Sequence, residues 1–191
     1  MTEFILGSSN AHKAEELNEL LGGVAKIKAA SEKLNVIEDA DTFEGNAFKK
    51  AKAYHDFYKA PSLADDSGLV VKALPNLLGV QSARFAPELP DYRDKNLKLI
   101  ELMKELKGED RAAYFVCNLC FYLSESEVYF FEGRVNGEIG HELKGDKGFG
   151  YDPIFVPDGL DGKHLAEVSE WKMKNSHRAR ACREAVKFFQ N

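Results

Sequence analysis

The sequence has 191 residues, of which 44% are hydrophobic and 30% are charged, and this balance excludes the disordered and fibrous classes. Its 26 Lys and Arg residues against 31 Asp and Glu residues give a formal net charge of -5, which argues against a protein that coats a nucleic-acid polymer. No apolar run approaches the roughly 18 residues of a membrane span, and the apolar residues at the start stop at Leu6, too early for a signal peptide.

These properties describe one globular chain in a reducing compartment. An odd number of cysteines, 3, suits the cytosol better than a disulfide framework. We therefore expect a single domain over residues 1–191, located in the cytoplasm, with neither a membrane nor a nucleic-acid polymer as its partner.

Apolar residues at helical spacing alternate along the chain with short runs of β-branched and aromatic residues. The pattern predicts, in chain order, a strand at 4–6, a helix at 13–21, a helix from 41, a strand at 69–71, a helix at 92–107, strands at 112–123 and 128–135, a strand at 154–156 and a helix at 177–189. The two longest strands are separated only by a polar tetrapeptide, which predicts an antiparallel hairpin. Helices and strands that interleave around a hairpin indicate an α/β fold with a mixed sheet covered by helices.

The polar loop between the first strand and the first helix is a candidate anion site. Its sequence at 8–13, Ser-Ser-Asn-Ala-His-Lys, brings the free N–H groups of a helix start together with the charge of Lys13. The alternative is an ordinary turn in which Ser9 or Asn10 caps the helix. A lysine at a helix start is unfavourable without an anion, so Lys13→Ala is expected to leave the unliganded protein as stable or slightly more stable.

Two further segments bring charges together. Asp65 and Asp66 precede Ser67-Gly68 between two apolar runs, in a segment that is predicted to be a loop or turn. Adjacent carboxylates repel, so a divalent metal or strong hydrogen bonds would be needed to keep both ionised; a plain Asx turn is the alternative. The cations of residues 172–178 also surround a helix start, where an anionic ligand or simple solvation would account for them.

A glycine-rich segment follows at 145–152, Gly-Asp-Lys-Gly-Phe-Gly-Tyr-Asp. Its glycines allow the backbone to approach a flat ligand closely, and an aromatic ring beside such a loop can stack on a base. The alternative is a hairpin loop whose aromatic side chains anchor it to the core.

Several of these segments together form a pattern that is typical of one family. They are SSNAHK at 8–13, TFEGNA at 42–47, ADDSGL at 64–69, SARF at 82–85, GFGYDP at 148–153 and SHR at 176–178. In this order, over the whole chain, the sequence resembles the non-standard purine nucleoside triphosphate pyrophosphatases, the inosine/xanthosine triphosphatase family. The resemblance implies an elongated mixed β-sheet flanked by helices, two lobes with a central cleft, a homodimer, and Mg²⁺-dependent hydrolysis of ITP, dITP and XTP to the monophosphate and pyrophosphate.

The resemblance also implies a role for each segment. Glu38 and Asp66 would hold Mg²⁺, and Asp66 would also be the catalytic base. Asn10 and Lys13 would lead a substrate-binding loop that consists of Ser8, Ser9, Asn10, Ala11, His12 and Lys13. Ser67 would touch the substrate. The residues implied to hold the base and the sugar are Phe149, Gly150, Tyr151, Asp152, Lys172, His177 and Arg178.

Two other functions stay open on the residues alone. A serine hydrolase could be built from Ser67, His177 and an acid, although the motif G-x-S-x-G is absent from the sequence. A regulatory module could bind a nucleotide without cleaving it, but such a module gains nothing from the acid pair. Sensitivity to EDTA separates the first alternative from a metal-dependent enzyme, and release of pyrophosphate separates the second.

Overall fold

The computed structural model describes residues 1–8 and 10–191, with the side chain of His12 left undescribed. The strands of this part of the chain are β1 (Thr2–Leu6), β2 (Ala25–Ala29), β3 (Ser62–Val71), β4 (Ala112–Ser124), β5 (Glu127–Ile139) and β6 (Phe155–Pro157). They form a six-stranded sheet in the order β2-β1-β3-β4-β5-β6. β1 pairs in parallel with β2 and β3, whereas β5 and β6 are antiparallel, so the predicted mixed sheet is confirmed.

The α-helices lie between and after these strands. They are α1 (Ala11–Leu21), α2 (Phe43–Tyr58), α3 (Tyr92–Leu102), α4 (Ser169–Asn175) and α5 (His177–Gln190). Within the described residues, no helix is both long enough and apolar enough to cross a membrane. Together the helices and the sheet confirm the α/β class.

The chain divides into two compact units, and the first contains residues 1–67, 117–133 and 177–191. Leu17 and Leu21 lie one turn apart on α1 and are fully buried in a core with Phe121 of β4. The start of α5 packs against the backbone of β5, where a Cβ on Gly133 would lie 2.0 Å from the carbonyl oxygen of His177. This close approach fixes the position of the first residues of α5, which include two of the predicted site residues.

The second unit contains residues 68–116 and 134–176. Its core includes Leu99 and Met103 together with Phe155. The guanidinium of Arg111 is buried there and donates to the carbonyl oxygens of Ile139, Gly140 and Met103, each at 2.6 Å. The predicted helix at 92–107 ends early, at Leu102, since the chain turns after it and Arg111 takes up one of the carbonyls released there.

Three local predictions need correction. Asp65 and Asp66, predicted in a turn, lie inside β3, which is longer than its apolar residues indicated. The helix predicted from residue 41 begins at Phe43, because Thr42 caps it with a side chain that accepts from the backbone N–H of Gly45 at 3.0 Å. β2 was not predicted, although its sequence Ala-Lys-Ile-Lys-Ala alternates between buried and exposed side chains over five residues.

Candidate active site

A charged cavity of about 530 Å³ opens in the first unit, at the loop that follows β1. This volume lies within the usual range for small-molecule sites. The charged and polar residues that line it are Ser8, Asn10, Lys13, Lys33, Asn35, Glu38, Lys50 and Asp65. The cavity therefore offers cations, carboxylates and a helix start to one ligand.

The loop after β1 leads directly into the N-terminus of α1. Asn10 caps the helix, as one of the two predictions had it, and its Oδ1 accepts from the backbone N–H of Lys13 at 3.2 Å. Ser8 Oγ in turn accepts from the backbone N–H of Asn10 at 3.2 Å. Ser9 and the side chain of His12, both predicted to bind substrate, fall outside what the structure describes.

Asp65 is a buried carboxylate bound by two cations. Lys13 Nζ forms a salt bridge with its Oδ1, and Arg178 Nη2 lies 3.2 Å from its Oδ2. Burial by itself would raise the pKa of Asp65, but the charges of Lys13 and Arg178 outweigh it and hold that pKa well below its usual range. Arg178 is also nearly buried, and Asp65 raises its pKa against the opposing effect of burial.

These contacts correct the expectation for Lys13. Cations near the starts of α1 and α5 need an anion, and Asp65 supplies it from within the protein. Removing Lys13 therefore takes a partner away from a buried carboxylate, so the unliganded protein should lose stability instead of keeping it.

Asp66 has a different set of neighbours. Asn46 Nδ2 donates to its Oδ2 at 3.2 Å, and Lys50 Nζ lies 3.5 Å from its Oδ1. The same ammonium lies 2.8 Å from Oε2 of Glu38. Burial raises the pKa of Asp66, an effect that Lys50 and Asn46 oppose and that the charges of Glu38 and Asp65 reinforce.

The two predicted metal ligands, Glu38 and Asp66, thus lie near the same ammonium group, that of Lys50. Glu38 and Asp66 both present carboxylate oxygens, the donors that Mg²⁺ prefers, around a positive charge that Lys50 supplies. In the described part of the chain, no group of three or more His, Cys, Asp and Glu side chains could hold a metal. Two carboxylates nevertheless suit Mg²⁺, which commonly takes its other ligands from water and from substrate phosphates.

The predicted base-binding loop lies in the second unit. The backbone N–H of Phe149 donates to Asp152 Oδ2 at 2.8 Å, and Lys172 Nζ binds the same oxygen. The ammonium of Lys172 also lies 4.5 Å from the centre of the Phe149 ring, which is 70% exposed. A Cβ on Gly148, where φ is +83°, would lie 2.1 Å from Asp152 Oδ2, so only glycine fits there. The loop therefore presents an exposed aromatic ring beside a cation.

The neighbouring residues of this loop anchor it. The hydroxyl of Tyr151 donates to the carbonyl oxygen of Ser82 at 2.6 Å, and burial raises its pKa. Asn96 Nδ2 donates to the carbonyl oxygen of Gly150 at 2.9 Å. Tyr151 was predicted to bind substrate, and the structure places its side chain in the core, with the ring edge-on to Tyr92.

The remaining predicted residues lie in the first unit, with Ser67 half-buried in β3 and His177 buried at the start of α5. Sequence reasoning did not identify Asn46 and Lys50 as site residues. They lie one turn apart on α2, so the i, i+4 spacing of a polar pair facing an acid-rich segment was the available signal.

Comparison with known proteins gives consistent matches over the whole chain. The model of the Ham1 family matches residues 4–188. A dITP/XTP pyrophosphatase of Aquifex aeolicus is 42% identical, over 99% of this chain and 97% of that protein. A dITP/XTP pyrophosphatase of Opitutus terrae is 41% identical, over 92% of this chain and 93% of its own. The structure of a HAM1 protein from Coxiella burnetii matches with a TM-score of 0.89 at 31% identity, covering 100% of this chain and 99% of that one.

Proposed function

The chain belongs to the Ham1 family and is a nucleoside triphosphate pyrophosphatase, and we propose that it hydrolyses the non-standard purine nucleoside triphosphates ITP, dITP and XTP with Mg²⁺. The products would be the nucleoside monophosphate and pyrophosphate, so the enzyme would remove these nucleotides from the cellular pool. Both relatives are dITP/XTP pyrophosphatases, which supports dITP and XTP as substrates of this chain.

The convergence of Glu38 and Asp66 on Lys50, at the cavity that also contains Lys13 and the start of α1, carries this proposal. A triphosphate with a divalent cation needs two kinds of group close together. Cations and free N–H groups bind its phosphates, and carboxylates bind the metal. Both kinds belong to the first unit.

Mg²⁺ held by Glu38 and Asp66 would neutralise the triphosphate and polarise the attacked phosphorus. The chain's own residues would bind the phosphates and orient the substrate. Phosphate oxygens would bind at the start of α1, to the segment of Ser8, Ser9, Asn10, Ala11 and His12. Lys13 would add a positive charge, and Ser67 would contact the substrate beside Asp66.

Asp66 would be the base that takes a proton from the attacking water. Its carboxylate is held by Asn46 and by Lys50, so its position is defined before substrate arrives.

Recognition of the base would rest on a stacking ring and hydrogen-bond donors. We propose that Phe149 stacks on the purine, with Gly150, Tyr151 and Asp152 shaping its loop. Lys172, His177 and Arg178 would contact base and sugar. Inosine and xanthosine carry an oxygen at ring position six, which accepts from such donors, whereas adenosine carries an amino group there.

We propose further that the enzyme acts as a cytoplasmic homodimer of single-domain chains on free nucleotides, with no nucleic-acid polymer or membrane as its partner. The cysteines Cys117, Cys120 and Cys182 are buried free thiols, which supports a reducing compartment. The net charge of -5 supports a small-molecule substrate.

Treatment with EDTA tests the metal-dependent mechanism against the serine-hydrolase alternative. Release of pyrophosphate from ITP should stop with EDTA and return when excess Mg²⁺ is added, and Ser67→Ala should keep part of the activity. Activity that survives EDTA and disappears in Ser67→Ala would support the serine hydrolase.

A further inference from the structure

Asn46 is a buried polar side chain, 2% exposed, on the first turn of α2. Its Oδ1 accepts from the backbone N–H of Ala40 at 2.9 Å. Its Nδ2 donates to Oδ2 of Asp66 at 3.2 Å. One amide therefore connects the segment before α2 to a carboxylate of β3.

The orientation of this amide is determined by its partners. A backbone N–H can only donate, so the atom of Asn46 that faces Ala40 must be the oxygen. The NH₂ group must then face Asp66. The reversed amide would place two donors together at Ala40 and two acceptors together at Asp66, so the contacts define a single arrangement.

This arrangement couples the two carboxylates that the proposed function assigns to the metal. Ala40 lies two residues after Glu38, so its hydrogen bond to Asn46 ties the segment that carries Glu38 to α2. One turn later on the same helix, Lys50 binds Glu38 and approaches Asp66. α2 thus holds both acids through two side chains at i, i+4 spacing.

We propose that Asn46 is a positioning residue of the reaction, which fixes the Asp66 carboxylate relative to the segment carrying Glu38. The proposal rests on the proposed function, since it gives those two carboxylates their role. Asn46 touches neither substrate nor reacting atoms in this account. It acts through Asp66, because a carboxylate free to rotate would spend less time in the geometry that the metal and the attacking water require.

Asn18 offers a matched control within the same unit. It also bridges two segments with one side chain, accepting from the backbone N–H of Ile27 at 2.8 Å and donating to the Ile27 carbonyl oxygen at 2.7 Å. These partners are backbone groups of β2, and the bridge involves neither Glu38 nor Asp66. The same substitution at Asn18 therefore measures the cost of losing a structural asparagine.

The test compares Asn46→Asp with Asn18→Asp. Asn46→Asp keeps an acceptor for the N–H of Ala40, removes the donor to Asp66 and places a second carboxylate opposite it. We expect kcat for ITP to fall on the order of 10- to 100-fold, with KM changing far less, as in other sites where a group orienting a ligand is removed. Asn18→Asp should lower the thermal midpoint and keep the parental kcat.

Calorimetric titration with Mg²⁺ gives a second readout that does not depend on turnover. The dissociation constant of Asn46→Asp for Mg²⁺ should differ clearly from that of the parent, whereas the dissociation constant of Asn18→Asp should equal the parent's. If Asn46→Asp does not fold, Asn46→Ala provides the same comparison without the added charge, and its kcat and Mg²⁺ affinity decide the question.

The outcomes separate the two claims. Parental kcat and parental Mg²⁺ affinity in a folded Asn46 variant would overturn the positioning role, even if its thermal midpoint falls. A parent enzyme that releases no pyrophosphate from any purine triphosphate would overturn the proposed function, and the Mg²⁺ titration would still report whether Asn46 orients Asp66.

Discussion

Asp65 and Asp66 are consecutive residues of β3, and different cations bind their carboxylates. Successive side chains of a strand point to opposite faces, so Asp65 meets Lys13 and Arg178 while Asp66 approaches Lys50. The pair is therefore not one metal-binding unit. Asp65 is the buried counter-ion of Lys13 and Arg178, and Asp66 is the carboxylate to which we assign the chemistry.

Replacing Asp66 tests its assignment as the base. Asp66→Asn keeps the shape of the side chain and removes its basicity, so kcat should fall by roughly 10²- to 10⁴-fold, the usual contribution of a general base. Rates of pyrophosphate release measure the loss, and thermal unfolding checks the fold. The exposed acid Asp56, paired with Lys52 on α2, provides the control Asp56→Asn. Near-parental turnover in Asp66→Asn would remove the residue from the mechanism.

Replacing Asp65 should mainly affect stability. Asp65→Asn leaves Lys13 and Arg178 without their buried counter-ion, and loss of one partner from a buried ion pair commonly costs about 3–5 kcal/mol. Urea unfolding of the unliganded protein measures the change. A loss as small as that of Asp56→Asn would mean that water replaces the carboxylate without cost.

The same carboxylate predicts a dependence on pH. The pKa of Asp65 is held below its usual range in the folded protein, so the unfolded chain takes up the proton first as the pH falls. The stabilisation is complete at pH values above the unfolded pKa of about 4 and is lost progressively below it. The stability difference between the parent and Asp65→Asn should be constant between about pH 5 and pH 7 and should shrink below about pH 4. If the stability difference already shrinks near neutral pH, the titration of a group other than Asp65 is responsible for the pH dependence.

We assign two roles to Lys13, binding of phosphate and support of Asp65, and one variant should reveal both. Lys13→Ala should weaken triphosphate binding by about 1.5–3 kcal/mol, the range for a hydrogen bond to a charged group. It should also destabilise the unliganded protein, because Asp65 then keeps only Arg178. Inhibition by a non-hydrolysable triphosphate and urea unfolding measure the two effects. A variant with lower affinity but unchanged stability would show that Lys13 does not support Asp65.

The sequence predicted the individual helices and strands better than the contacts between residues that are far apart in the chain. The first helix, the hairpin and the helix from His177 followed from local spacing, and the structure has them close to their predicted bounds. The acid pair was misplaced in a turn, because Asp, Ser and Gly favour turns locally. A strand between neighbours in a sheet overrides that preference when each acid finds its own cation. Such partners, Arg178 for Asp65 among them, come from residues far apart in the chain, which no local pattern contains.

Phe149 should affect all purines alike. Its ring is exposed and lies beside Lys172, and stacking does not distinguish bases because each has a π-face. Phe149→Ala should raise KM for inosine, xanthosine and guanosine triphosphates by a similar factor, equivalent to roughly 1–3 kcal/mol. Phe57→Ala, at an exposed phenylalanine of α2, is the control. A change in KM for one purine alone would indicate that Phe149 reads the edge of the base.

A pyrophosphate-release assay with ITP, XTP, dITP, GTP and ATP, each with Mg²⁺ and with EDTA, tests the proposed reaction most directly. We expect release from ITP, XTP and dITP only when Mg²⁺ is present, a weaker reaction with GTP, and the lowest kcat/KM with ATP, whose six-amino group would face donors. Equal kcat/KM for ATP and ITP, or release that EDTA leaves unchanged, would contradict it.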